Sequence, residues 1–103
     1  MNNYIIFYLG GNMPTNQEEG AKHFEKYKEW LVSLGDSIES AANPLKDTHT
    51  INPDGTITDG TTTAMSGFTI IKADSLETAL EMSKTCPFLE IGGSLEVSEL
   101  MQM

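Results

Sequence analysis

The chain has 103 residues and carries six lysines, no arginine and fifteen Asp and Glu, for a formal charge of −9. That length makes one domain, residues 1–103. The missing Arg forks and basic face argue against nucleic acid, a phosphate clamp or an anionic membrane surface as partner. A hydrophobic content of 39% with 20% charged residues excludes wholesale disorder.

Tyr4 to Leu9 is β-branched and aromatic and ends at Gly10-Gly11, so it reads as strand one. Ile5, Phe7 and Leu9 fall on one face and Tyr4, Ile6 and Tyr8 on the other, and a strand apolar on both sides needs cover on both. After a loop with Pro14, Thr15 or Asn16 can cap a helix over about Gln17–Leu34, with Glu18 and Glu19 at its electropositive start. Gly20, His23, Phe24, Tyr27, Trp30, Leu31 and Leu34 share its apolar face, and Gly35 ends it. Asp36 to Ala42 is a weak second strand, broken by Asn43-Pro44.

Lys46–Ile51 and Thr56–Thr58 read as the arms of a hairpin around Asn52-Pro53-Asp54-Gly55. Gly67–Ala73 is the third main strand. Ser75 opens a second helix that runs to about Thr85 and stops at Pro87, and Gly93–Leu100 alternates as the last strand. The plan is α+β: a ferredoxin-like βαββαβ with a hairpin insertion, an antiparallel sheet and both helices on one face. It leaves the other sheet face bare, with Ile and Tyr residues of strand one expected on it. Such a patch predicts a homodimer through the sheet face.

One cysteine, Cys86, excludes a disulfide framework and a multi-Cys zinc site. No apolar run reaches spanning length, and the start lacks a basic n-region, so a cytoplasmic protein is expected. Cys86 ends a helix, where the dipole opposes a thiolate, so a packed side chain is expected rather than a nucleophile.

His23 is the leading candidate for chemistry: a neutral imidazole on an apolar face can serve as general base, and Asp36 can orient it. The alternative is a hydrogen-bonded core histidine. Thirteen residues separate the two, roughly 18 Å of helix, so contact requires strand two to fold Asp36 back along it. Tyr27 and Trp30 offer an aromatic wall suited to a flat ligand, or simply core. His49, with Asp47 two residues before it, stands on the first hairpin arm. Asp59 and Ser66 border turns where a pocket can form. No metal spacing and no dinucleotide or phosphate loop is present, so neither metal nor cofactor is expected.

Several segments resemble the YCII-related proteins. Met65-Ser66-Gly67-Phe68-Thr69-Ile70-Ile71-Lys72-Ala73-Asp74-Ser75-Leu76-Glu77-Thr78-Ala79-Leu80 resembles their third strand and second helix. Cys86-Pro87-Phe88-Leu89 with Gly92-Gly93-Ser94-Leu95-Glu96-Val97 is similar to the closing segment of their DGPF subgroup. Asn43-Pro44-Leu45 resembles the family's turn after strand two, and Asp59-Gly60 the start of the subgroup signature, which continues here as Thr61-Thr62. The resemblance implies a dimeric α+β barrel and a catalytic pair at His23 and Asp36. One family relative is a dehydrochlorinase of a chlorinated aromatic. The expected function is a homodimer binding a small organic, possibly aromatic, molecule near helix one, through Tyr27, Trp30, His49, Asp59 and Ser66. The alternatives are a cofactor-free lyase or isomerase using His23 and Asp36, and a structural or regulatory interaction module.

Overall fold

The structure, a computed structural model, describes residues 1–11 and 16–101; Pro14 and the cap candidate Thr15 lie outside the described residues. Among these the order is β1 (Asn2–Gly10), α1 (Gln17–Leu34), β2 (Ile38–Pro44), β3 (His49–Ile51), β4 (Ile57–Asp59), β5 (Met65–Ala73), α2 (Leu76–Ser83) and β6 (Gly93–Glu99). Gly35–Ser37 and Pro87–Ile91 form 3₁₀ turns. The main sheet runs β2-β5-β1-β6, with every neighbouring pair antiparallel. This is the ferredoxin-like order, and β3 with β4 makes a separate two-stranded hairpin.

Local chemistry explains the helix limits. The Asn16 side chain accepts from the Glu19 N–H at 2.8 Å, while Gly35, at φ 53°, ends α1 in a conformation that disfavours side chains. Ser75 caps α2 by accepting from the Thr78 N–H at 3.2 Å. The second strand begins later than its sequence suggests. Gly-Asp-Ser at 35–37 are turn formers and wind into the 3₁₀ turn, so Asp36 belongs to no strand.

Tyr4, Ile6 and Tyr8 of β1 with Thr69, Ile71 and Ala73 of β5 are buried under the helices, joined by Trp30, Ala79 and Cys86. The expectation that Tyr residues of strand one occupy the bare face is therefore corrected. That face carries Ile5, Phe7 and Leu9, and cross-strand pairs Ile5–Ile70 and Phe7–Phe68 lie on it. Strand alternation separates the two sets, and the tyrosines take the helix side because their hydroxyls find partners there. Trp30 fastens α1 to the end of α2: its indole N–H reaches the Met82 carbonyl at 3.1 Å and Thr85 Oγ1 at 3.0 Å.

β3 and β4 pack chiefly on each other, and their paired Ile51 and Ile57 are 73% and 68% exposed. The radius of gyration is 15.0 Å; about 13 Å is usual for a compact chain of ~100 residues. The molecule measures 43 × 41 × 18 Å. The hairpin is thus a projecting arm. Asn52 and Asp54 brace its turn: Asn52 Nδ2 donates to Thr58 Oγ1 at 2.9 Å and Asp54 accepts from the Thr56 hydroxyl at 2.7 Å.

Candidate functional site: a cleft between the first helix and the sheet

The side of α1 that carries His23, Phe24 and Tyr27 does not close fully on the sheet. It leaves an open cleft of about 220 Å³. β1 contributes Tyr8 to its lining, β5 contributes Ser66 and Gly67, and β2 contributes Ala42, Asn43 and Pro44. Phe88, from the second 3₁₀ turn, completes the wall. Gly67 is required where β2 crosses it, because a Cβ there would stand 2.9 Å from the Asn43 carbonyl oxygen. Phe88 rests in a similar gap. A Cβ on Gly93 would fall 2.1 Å from its ring, and its ring centroid lies 5.3 Å from that of Tyr8.

The walls are mostly apolar, with polar side chains at His23, Asn43 and Ser66, and a group of hydroxyls lies where Tyr8 and Tyr27 meet Thr69. Tyr8 and Tyr27 approach at 2.8 Å between oxygens, and Thr69 Oγ1 stands 2.5 Å from Tyr8 and 3.2 Å from Tyr27. Thr69, fully buried, donates to the Ala41 carbonyl. This bond exists because the β2–β5 register slips between Ser40 and Asn43, freeing that carbonyl from the ladder. Burial pushes the Tyr8 phenol well above its ordinary value, so it stays protonated. Tyr27 stacks on the buried Trp30, centroids 5.8 Å apart, which fixes its ring.

The expected site residues fall into three groups. His23, Tyr27 and Ser66 line the cleft, and Trp30 backs Tyr27 without lining it. Asp36 is exposed in the 3₁₀ turn past the far end of α1, and the helix alone rises about 16 Å from His23 to Leu34. It does not line the cleft, and no carboxylate lines it among the described residues.

His49 and Asp59 sit together on the arm, Nε2 to Oδ1 at 3.3 Å. The spacing of Asp47 and His49 suggests two neighbours on one strand face. Instead Asp47 lies before β3 at φ 55°, and His49 Nδ1 meets its backbone carbonyl at 2.8 Å. Because that carbonyl only accepts, Nδ1 carries the proton, and the Asp59 contact is a hydrogen bond only when the ring is doubly protonated.

Sequence reasoning missed Tyr8, Thr69 and Phe88 as site residues. Alternation along β1 groups Tyr8 with Tyr4 and Ile6 on one face, but only the hydroxyl partners decide that this is the helix side. Nothing local marks Thr69, whose partner is a carbonyl 28 residues away, and the place of Phe88 depends on Gly11, far off in sequence, as well as on nearby Gly93. Burial pushes the Cys86 thiol up to about 11, away from a nucleophilic thiolate. No group of three or more His, Cys, Asp or Glu suited to a metal ion occurs among the described residues. None of their helices is long and apolar enough to cross a membrane.

Searches against family models and curated proteins give no match. Solved structures do match. One is the 5-chloro-2-hydroxyhydroquinone dehydrochlorinase of Burkholderia phenoliruptrix AC1100, solved in complex with 2,5-dihydroxybenzoquinone. The alignment covers 98% of this chain and 95% of that one, with a TM-score of 0.59 and 16% identity. At that identity the likeness is one of fold: this chain shares the α+β architecture of that enzyme over essentially its whole length.

Proposed function

We propose that the protein is a cytoplasmic homodimer of the YCII-related type, and that it binds a small, flat, largely apolar molecule in the cleft between α1 and the sheet. The cleft carries this reading. It is walled by Phe24, Tyr27, Pro44 and Phe88, with buried hydroxyls at Tyr8 and Thr69 and His23 on the helix side. A volume of about 220 Å³ suits a single-ring molecule; larger ligands usually occupy clefts of ~300 Å³ or more. The fold neighbour's complex with a one-ring quinone supports the same choice of ligand size. The apolar sheet face opposite the helices supports the dimer, and the lone buried Cys86 suits a reducing compartment.

A second reading is a cofactor-free lyase or isomerase in which His23 removes a proton. The neighbour's dehydrochlorinase activity favours it. In this chain Asp36 lies past the far end of α1, too far from His23 to orient it directly, so the pair requires a route through another group or another copy.

A thermal-shift screen of one-ring aromatic acids, phenols and lactones tests the binding reading. Ligands that raise the Tm of the wild type should lose that effect in His23→Ala with little change in the unliganded Tm, because His23 is only half-buried. A large Tm loss in His23→Ala with ligand shifts unchanged would overturn the role of His23. A cleft that answers to no ligand would overturn the reading itself.

A further inference from the structure

The hydroxyl group cluster under the cleft has a fixed direction. Ala41 offers a carbonyl, which can only accept, so the proton in its bond with Thr69 is the threonine's. Thr69 has one proton, and it is spent there. The 2.5 Å approach of Tyr8 to Thr69 is then a bond donated by Tyr8. Tyr8 also has one proton, so the 2.8 Å contact with Tyr27 is donated by Tyr27, whose other neighbour, Thr69, is likewise only able to accept from it. Tyr27 therefore turns its proton inward whichever of the two it bonds. It lines the cleft, and its oxygen lone pairs have no donor from the described residues.

We propose that this one-way chain, Tyr27 to Tyr8 to Thr69 to the Ala41 carbonyl, makes the cleft selective for a neutral ligand that donates a hydrogen bond, with the Tyr27 oxygen as its acceptor. The inference rests on the cleft being a small-molecule site and adds the polarity of its ligand. A ring bearing an O–H or N–H meets Tyr27 as a donor. An ether, or a carboxylate, presents lone pairs to lone pairs. To accommodate either, Tyr27 would have to turn its proton outward, leaving Tyr8 with one bond fewer in a buried place. Among the described residues no lysine lines the cleft, and His23 is the one basic side chain on its wall. Tyr27 is a specificity-determining residue on this account, and Thr69 acts through it as a positioning residue.

The test uses three probes of similar size, phenol, anisole and benzoate, titrated against the full chain by calorimetry. Trp30, the single tryptophan, stacked on Tyr27, supplies a parallel fluorescence signal. Phenol should bind about five-fold tighter than anisole, the worth of one neutral hydrogen bond, and benzoate weakest. Tyr27→Phe should erase the phenol–anisole difference while leaving anisole unchanged. Thr69→Val removes the acceptor that orients Tyr8. Tyr8 then donates to Tyr27, the Tyr27 proton is released toward the cleft, and the preference should move toward anisole. A purely structural role for Thr69 would weaken both probes equally. If Thr69→Val fails to fold, Tyr27→Phe still decides. Equal binding of phenol and anisole to the wild type, or tighter binding of benzoate, overturns the polarity and leaves the site standing. Failure of all three probes to bind overturns the site and the polarity with it.

Discussion

Thr69 shows how one buried polar atom can organise a region. It is fully buried in the centre of the sheet, where an unsatisfied hydroxyl would cost ~1–3 kcal/mol. Its bond to the Ala41 carbonyl and its contacts with two tyrosines meet that demand and knit β2, β5, β1 and α1 together. Cys86 shows the opposite case, a buried group kept neutral. Its thiol is raised from 9.0 to about 11 by burial, so the folded state holds the proton after the unfolded chain has lost it. Stability from this source is full below about pH 9 and falls as pH rises toward 11, by up to ~3 kcal/mol for a two-unit shift. Tyr8 pushes in the same direction at higher pH. Urea unfolding from pH 7 to 11 should show the decline, and Cys86→Ala should flatten its first part. An unchanged slope in that variant would contradict the assignment.

At the scale of elements, legibility followed how local the cause was. The limits of α1 could be read from Asn16, the apolar stripe and Gly35, all of which act within a turn of the helix ends. The turn of the arm could be read from Asn52-Pro53-Asp54-Gly55 for the same reason. Ser75 marked α2, though Leu76 and Leu80 of its apolar face remain 47% and 41% exposed. The site was half legible. His23, Tyr27 and Ser66, named from the sequence, line the cleft, but Phe88 was not among the candidates, because Pro87 read only as a stop. The five residues after Cys86 wind into a 3₁₀ turn that swings Phe88 over Gly11 and Gly93 and against Tyr8. Gly93 is thus a packing glycine. Gly93→Ala should cost ~1–3 kcal/mol by overpacking and shift the Phe88 ring in the cleft wall. Chemical unfolding checks the cost, and a neutral result would mean that Phe88 yields without loss.

At the scale of the whole molecule, two surfaces remain without cover. The sheet face carries Ile5, Phe7, Leu9, Phe68 and Ile70, and the arm holds out Ile51 and Ile57. A two-stranded hairpin alone is marginal in water, and this one has little support from its own chain. Both features favour the proposed second copy. Sedimentation at micromolar concentration should give twice the 11.3 kDa chain mass, and Phe7→Glu should shift it toward the monomer. A wild-type monomer would contradict the dimer without touching the cleft.

Amide NMR of the labelled protein titrated with phenol tests directly whether the cleft binds a one-ring ligand. Shifts should gather at Tyr8, His23, Tyr27, Asn43, Gly67 and Phe88, with Ser94, Glu96 and Ser98 on the opposite sheet face unmoved. Shifts gathered on Ile5, Phe7 and Ile70, or on the arm, would contradict binding in the cleft.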